Sequence, residues 1–158
     1  MSGDSTHGDC GDAYPESMPE FTDFNNLDEA MDDYFSYFRM LASSSRAERI
    51  AAHSELNDWL QECLLSPPWK VRPDADAIWR VVVALVARAA ENPEELAIVI
   101  AGPLEDLVYQ HGVVFGERIV EQTRTDRRFR MAMSGMVSLD TVPDVYRSQL
   151  RVLLDRPG

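Results

Sequence analysis

Residues 101–112, with the sequence AGPLEDLVYQHG, combine helix-ending and helix-starting signals in a short space. We expect Gly102 to end one helix in the left-handed conformation, which glycine adopts without a Cβ penalty. Pro103 suits the first position of the next helix, where its missing N–H needs no partner, and Glu105 is placed to reach back to the free amides. Gly112 is expected to close this helix after about two turns. Apolar helical sequence flanks the stretch, so the pattern predicts helices joined by sharp turns.

Apolar residues in the rest of the chain recur at three- and four-residue spacings, which is typical of amphipathic helices. The predicted helices outside 101–112 cover residues 26–42 (with Asn26 as N-cap), 45–65, 75–91, 93–101, 113–124 and 125–134, and a last helix is capped by Asp140 or Thr141. We predict no strand. The predicted fold class is all-α, a compact bundle of about seven helices.

The charge of the chain is unevenly distributed. The net charge is −12, and residues 1–38 carry ten acidic residues and no lysine or arginine, whereas residues 112–158 carry six acidic and eight basic residues. Residues 1–22 are rich in Gly, Ser, Asp and Pro, so we predict an acidic flexible tail there and a single helical domain at 23–158. An acidic front disfavours nucleic acid and anionic membranes and favours a cationic partner. The alternative, that these acids only keep a tail soluble, stays open.

Membrane and export signals are missing from the sequence. No apolar run approaches the roughly 18 residues of a membrane span, and the N-terminus has neither a basic start nor an apolar core. Cys10 and Cys63 make a poor disulfide framework. We therefore expect two free thiols and a cytoplasmic protein.

In the first predicted helix the acidic residues are followed by a group of aromatic residues, with Tyr34, Phe35, Tyr37 and Phe38 within five positions. This is more than one buried face requires, and tyrosine is frequent at protein contacts, although core packing is a competing interpretation. The predicted partner-binding residues are Asp23, Asp28, Glu29, Asp32, Asp33, Tyr34 and Tyr37.

Motifs of catalysis and metal binding do not occur in the sequence. His7, His53 and His111 are widely separated, and there is no CxxC, HxxxH or HExxH spacing, phosphate-binding glycine loop or Gly-x-Ser-x-Gly elbow. We predict no metal, no cofactor and no enzymatic activity.

One group of residues could serve acid–base chemistry or bind a ligand: Glu105, Asp106, Tyr109 and His111. Acid–base catalysis needs two titratable groups whose pKa values are driven apart. The competing interpretation is structural: Glu105 and Asp106 suit a helix N-terminus, and His111, near the expected C-terminus of the same helix, is favoured there in its charged form.

Arginines are concentrated downstream, at Arg118, Arg124, Arg127, Arg128 and Arg130. We expect Asp126 to pair with Arg130, and Glu121 with Arg118 or Arg124. This spacing predicts an exposed helix with mixed charges, and nucleic-acid binding is not favoured.

The segment 102–107, GPLEDL, with His111-Gly112 behind it and Asp126-x-x-Phe129-Arg130 downstream, resembles a bacterial family of small, uncharacterised, all-helical cytoplasmic proteins. The resemblance covers about residues 70–155, and Trp79 fits the helix ahead of the motif. It implies a helical fold and brings no activity with it. Small acidic helical bacterial proteins are often immunity proteins or antitoxins, and that analogy is at the level of the fold.

These observations favour a non-enzymatic protein-binding module, of immunity-protein or antitoxin type, that neutralises a cationic, nuclease-like toxin. A small helical enzyme or ligand-binding protein using Glu105, Asp106 and His111 is the first alternative. A regulatory or scaffold subunit is the second, and a homodimer stays open.

Overall fold

The computed structural model describes residues 24–43, 55–65 and 75–155. Its helices are α1 (Phe24–Ser43), α2 (Glu55–Leu64), α3 (Ala75–Ala89), α4 (Pro93–Val99), α5 (Glu105–Thr125), α6 (Arg127–Ser134) and α7 (Asp144–Leu154), and a π-helical segment (Ile100–Leu104) joins α4 to α5. No strand occurs in these ranges, which confirms the all-α prediction. The predicted tail at 1–22 and residues 45–54 of the second predicted helix lie outside the described residues.

Helix α3 packs against α2, α4, the π-helical segment and α6. Six of its residues are buried, namely Ile78, Val81, Val82, Leu85, Val86 and Ala89. The half-buried Trp79 stacks on Phe115 of α5 with 5.6 Å between ring centroids, and its ring lies 5.9 Å from that of Phe129 of α6. Aromatic pairs of this kind contribute about 0.5–1.5 kcal/mol beyond the area they bury. Trp79 therefore joins α3, α5 and α6.

Helices α1 and α2 pack together as a pair. The apolar face of α1 buries Leu27, Met31, Tyr34 and Phe35, and α2 buries Leu56, Trp59, Leu60 and Leu64. Helix α1 begins at Phe24, because that position continues the apolar spacing one turn before Leu27. Asn26 therefore lies inside the helix, and its prediction as the N-cap is wrong.

Gly102 bends the chain without ending the helical run. Its φ of −129° and ψ of −105° are not helical, but no described residue has a positive φ, so the predicted left-handed helix end is wrong. Pro103 lies within the π-helical segment rather than at the start of a new helix, and the N–H of Glu105 donates to the carbonyl groups of Gly102 and Ile100. Since Pro103 has no N–H and crowds the preceding turn, the turns widen and the helix continues. The expected capping by Glu105 is also absent at the start of α5.

Helix α4 begins at Pro93, where the helix predicted over residues 93–101 starts. The side-chain oxygen of Asn92 accepts hydrogen bonds from the N–H groups of Glu94 and Glu95 at 3.1 and 3.3 Å. The run that begins at Pro93 is continuous to Thr125. The described residues therefore form six separate helical elements, against about seven expected for the whole chain.

Gly112 and Gly116 lie inside α5, so the predicted helix end at Gly112 is wrong. Both are buried where α7 and the loop before it approach α5. A Cβ at Gly112 would lie 3.4 Å from Cγ2 of Val142, whereas a Cβ at Gly116 would lie 2.8 Å from Cε2 and 3.0 Å from Cγ of Tyr146. These glycines therefore admit a close neighbour, which is the other use of a residue without a Cβ.

We expect Gly116→Ala to lower the free energy of unfolding by about 1–2 kcal/mol. The added methyl overlaps the Tyr146 ring close to its attachment to the backbone, and overpacking costs about 1–3 kcal/mol, while alanine recovers up to about 1 kcal/mol of helix propensity. Gly112→Ala is the matched control, because a methyl there is in ordinary contact, and it should be neutral or slightly stabilising. Urea unfolding of both variants measures the difference, and equal losses at the two positions would contradict the packing described here.

Asp126 separates α5 from α6. One of its carboxylate oxygens accepts hydrogen bonds from the N–H groups of Arg128 and Phe129 at 2.8 and 3.2 Å, which confirms the predicted helix restart. Arg130 reaches back to the end of α5, where Nε and Nη2 donate to the carbonyl groups of Thr123 and Arg124 at 2.9 and 2.7 Å. The predicted Asp126–Arg130 ion pair is therefore wrong. The last carbonyls of a helix lack partners within it and take the guanidinium instead.

Helix α7 has no side-chain cap, so the prediction that Asp140 or Thr141 caps it is wrong. Both side chains are engaged elsewhere: Asp140 pairs with Arg147 at 3.4 Å, and the Thr141 hydroxyl donates to the carbonyl of Val108 at 3.1 Å. The bond to Val108 ties the loop before α7 to α5.

Candidate functional site

Glu105, Asp106, Tyr109 and His111 all lie in the first half of α5, but they occupy different environments. Glu105 and Asp106 are half-buried in its first turn, Tyr109 is exposed, and His111 is fully buried. Successive residues of a helix are about 100° apart around its axis, so Glu105, Asp106 and Tyr109 lie on one side of α5 and His111 lies on the opposite side. Among the described residues, no hydrogen bond or ion pair joins any two of the four.

His111 packs between α5 and α2. Its ring lies 6.2 Å from that of Phe115 in an edge-to-face arrangement, and neither ring nitrogen has a hydrogen-bond partner. Burial lowers the pKa of His111, although the backbone carbonyls of Cys63 and Leu64, at the end of α2, act in the opposite direction. The neutral form is therefore favoured. The prediction that His111 lies near the end of its own helix, in its charged form, is wrong because α5 continues to Thr125.

Asp106 lies close to Tyr34 of α1, at the kink made by Gly102. Burial raises the pKa of Asp106, and the neighbouring carboxylate of Glu105 raises it further. Burial also raises the pKa of Tyr34, with a smaller contribution from the charge of Asp106. The Tyr34 hydroxyl would lie 3.7 Å from a Cβ at Gly102. Sequence reasoning missed this meeting of α1 with the start of α5, since no local pattern links residues so far apart in the chain.

The two titratable groups with shifted pKa values on α5 therefore face different neighbours. Asp106 faces α1, and His111 faces the end of α2. Acid–base catalysis would require the two groups to act on one reacting molecule. We assign no catalytic residue among the four.

The acidic face of α1 is the second candidate site. Asp28, Glu29, Asp32 and Asp33 are all exposed, within two turns of one another. Asp32 forms an ion pair with Arg88 of α3. The other three form no ion pair within the described part of the chain. These carboxylates therefore give α1 a negative outer face.

The aromatic residues of α1 divide between the core and the surface. Tyr34 is 1% exposed and packs edge-to-face with Phe35, so its prediction as a partner anchor is wrong. Tyr37 is half-buried, and its ring lies 5.2 Å from that of Phe38. Of the predicted partner-binding residues, Tyr37 and the four carboxylates remain accessible, and Asp23 lies outside the described residues.

The downstream arginines are largely engaged in contacts within the protein. Arg118 pairs with Asp76 of α3 rather than with Glu121, and Glu121 pairs with Arg124 as predicted. Arg128 pairs with Glu91 at 3.1 Å. With Arg130 on the carbonyls of α5, most of these cations are used to hold helix ends and neighbouring helices. Such a pattern differs from the open basic face of a nucleic-acid binding surface.

Residues 24–43, 55–65 and 75–155 contain neither a membrane-spanning helix nor a metal-binding cluster. None of the helices there is long and apolar enough to cross a membrane. No group of three or more His, Cys, Asp or Glu side chains is arranged there to hold a metal ion.

The fold is all-helical, with a negatively charged outer face on α1 and a buried apolar core shared by the described helices. The chain belongs to a family of unknown function, DUF6869, whose family model matches residues 47–153. This confirms the resemblance to an uncharacterised family. No curated protein and no solved structure matches the chain significantly.

The residues that carried the resemblance have packing and capping roles in this fold. Leu104, Leu107 and Phe129 are fully buried. Asp126 caps α6, and Arg130 closes the end of α5. The residues of the motif therefore have structural roles, since they position α5 against the neighbouring helices.

Proposed function

We propose that this protein is a non-enzymatic binding module whose acidic α1 face docks a cationic protein, as an immunity protein or antitoxin docks a nuclease-like toxin. The observation that supports this most directly is the exposure of Asp28, Glu29 and Asp33 without ion-pair partners in the described residues. Opposite charge across an interface accelerates association and selects against wrong partners. Tyr37, half-buried beside these acids, is the aromatic residue available to anchor the contact.

Helix α1, which carries that face, is held in place by contacts with the other described helices. Helix α1 is held by four buried side chains and by ion pairs from Asp32 to Arg88 and from Arg39 to Glu95. An interface helix that does not need to fold on binding avoids the ordering cost of a disordered segment. A cytoplasmic location is part of the proposal, since the two cysteines of the chain make a poor disulfide framework.

The partner should be sought by affinity capture from the native host, with the product of the neighbouring gene as the first candidate. Asp28→Asn combined with Asp33→Asn should then weaken binding of that basic partner by about tenfold or more, because surface charge pairs contribute a few tenths to one kcal/mol each and also steer encounter. Affinity should fall steeply as salt rises. Calorimetry or surface-binding kinetics, together with inhibition of the partner's activity, provides the measurement.

The matched control is Glu94→Gln with Asp155→Asn, which removes two exposed carboxylates from other helix ends. It changes the net charge by the same amount and should leave the affinity within about twofold. Equal weakening by both pairs, or binding that is independent of salt, would reject α1 as the contact. Deleting residues 1–38 is not an informative test, because it removes Leu27, Met31, Tyr34 and Phe35 from the core.

A further inference from the structure

Helix α7 runs alongside α5 in the same direction. Gly112 faces Val142, just before α7, and Gly116 faces Tyr146 in its first turn. Residue numbers therefore increase in the same direction on both sides of the contact, as they do between parallel helices. For two parallel right-handed helices, residues just after the contact positions on one helix and just before them on the other lie on the same side of the pair. On α5 these are Tyr109 and Val113, and on α7 they include Val145.

Four exposed apolar residues lie on this side of the helix pair, and Gln149, whose side-chain amide donates to the carbonyl of Val145, lies between the two valines of α7. Tyr109 is 64% exposed, Val113 72%, Val145 60% and Val152, two turns further along α7, 57%. We call these four residues the α5–α7 patch. Its two helices are locked together by the glycine contacts and by the bond from Thr141 to Val108. The patch is therefore a preformed surface, and clustered apolar residues of this kind mark interaction sites.

The charged residues next to the α5 half of the patch are all negative, while on α7 Arg147 is paired with Asp140 and Asp144 and the exposed Arg151 adjoins Val152. Glu105 and Asp106 lie one turn before Tyr109, and Glu117 lies one turn after Val113. None of the three has an ion-pair partner among the described residues. Burial and the nearby Glu105 raise the pKa of Asp106, as expected where negative charge is not compensated.

This acidic rim decides among the classes of occupant. A second copy of the chain would bring like charges together and add a second net charge of −12. Anionic lipid and nucleic acid would be repelled in the same way. A segment with apolar side chains flanked by lysine or arginine is complementary to both: its apolar side chains can contact the patch, and its cations can contact the acidic rim.

We propose that the α5–α7 patch docks an amphipathic basic helix of a protein partner, with Val113 and Val145 as the central apolar contacts and Glu117 as a charge contact. Helix-in-groove recognition uses a row of apolar anchors on one face of the bound helix. This surface is separate from the acidic face of α1, and the proposal does not depend on that face being used.

The test uses a fluorescent synthetic helix of leucine and lysine, about 18 residues long so that it is helical on its own, and the full-length protein. Fluorescence anisotropy should show binding, and Val113→Gln with Val145→Gln should weaken it by tenfold or more. Val114→Gln is the matched control, since Val114 is 51% exposed on the same helix but points about 100° away from Val113. It should leave the affinity within twofold. Glu117→Gln should reduce the salt dependence of binding.

Several outcomes would overturn the proposal. These are no binding of the peptide at low salt, equal weakening by Val114→Gln, or equal binding of a leucine–glutamate helix. A dimer in sedimentation that Val113→Gln with Val145→Gln dissociates would assign the patch to a second copy. If instead Asp28→Asn with Asp33→Asn abolishes peptide binding while the patch variants do not, the peptide reports on α1, and only the patch proposal fails.

Discussion

Phe129→Ala is expected to lower the free energy of unfolding by about 3–5 kcal/mol, the usual cost of deleting a fully buried phenylalanine ring. Phe129 is 0% exposed, and its ring lies 5.9 Å from Trp79 of α3. The N–H of Phe129 also donates to the carboxylate of Asp126, which caps α6. This cap fixes where α6 begins and so places the ring of Phe129 in the core. Since a domain is stable by only about 5–15 kcal/mol, the variant should be close to unfolding at physiological temperature. Urea unfolding followed by circular dichroism measures the loss.

Met131→Ala is the control for this substitution. Met131 lies on the same short helix but is 44% exposed, so its truncation should cost less than about 0.5 kcal/mol. Near-UV circular dichroism should lose tryptophan signal in Phe129→Ala alone, because Trp79 then loses its neighbour. A loss below 1 kcal/mol at Phe129 would show that α6 is not anchored through this ring.

Structural features could be predicted from the sequence where the interaction that produces them is local. Asn92 before Pro93 and Asp126 before α6 both act as caps, because a capping side chain bonds to amides two and three residues away. The helix predicted over residues 75–91 is likewise found, because its many apolar residues are a local pattern that accompanies burial. These features depend on the sequence within one or two turns.

Predictions failed where the deciding partner is distant in sequence. A glycine that ends a helix and a glycine that admits a close neighbour look alike in the sequence, and only Val142, supplied by the loop before α7, distinguishes Gly112 from a helix end. Asp126 lies four residues before Arg130, at the spacing of a helical ion pair. The guanidinium of Arg130 instead donates to the carbonyl groups at the end of α5. The same holds for Tyr34, for which the sequence left partner binding and core packing open. It is buried, and its neighbours Asp106 and Gly102 are distant in the chain.

His111 makes stability depend on pH. Burial lowers the pKa of the folded imidazole below its ordinary value of 6.5. The unfolded chain therefore binds the proton more readily, so His111 stabilises the fold fully above about pH 6.5, and this stability is lost as the pH falls through that value. The slope is at most about 1.4 kcal/mol per pH unit for one group. Urea unfolding between pH 5 and 8, on a roughly half-unit grid, should show this decline.

His111→Met should remove that decline while costing little at pH 7.5. Methionine fills a similar volume, and the imidazole nitrogens form no well-aligned hydrogen bond with a described residue, so only their attraction to the carbonyls of Cys63 and Leu64 is lost. Asp106→Asn is the second arm. Because the pKa of Asp106 is raised, its carboxylate opposes folding once ionised, so its removal should increase stability at neutral pH rather than flatten the curve near pH 6. If His111→Met retained the full acid decline, the loss would belong to other groups, and the uncompensated burial of His111 would not be its cause.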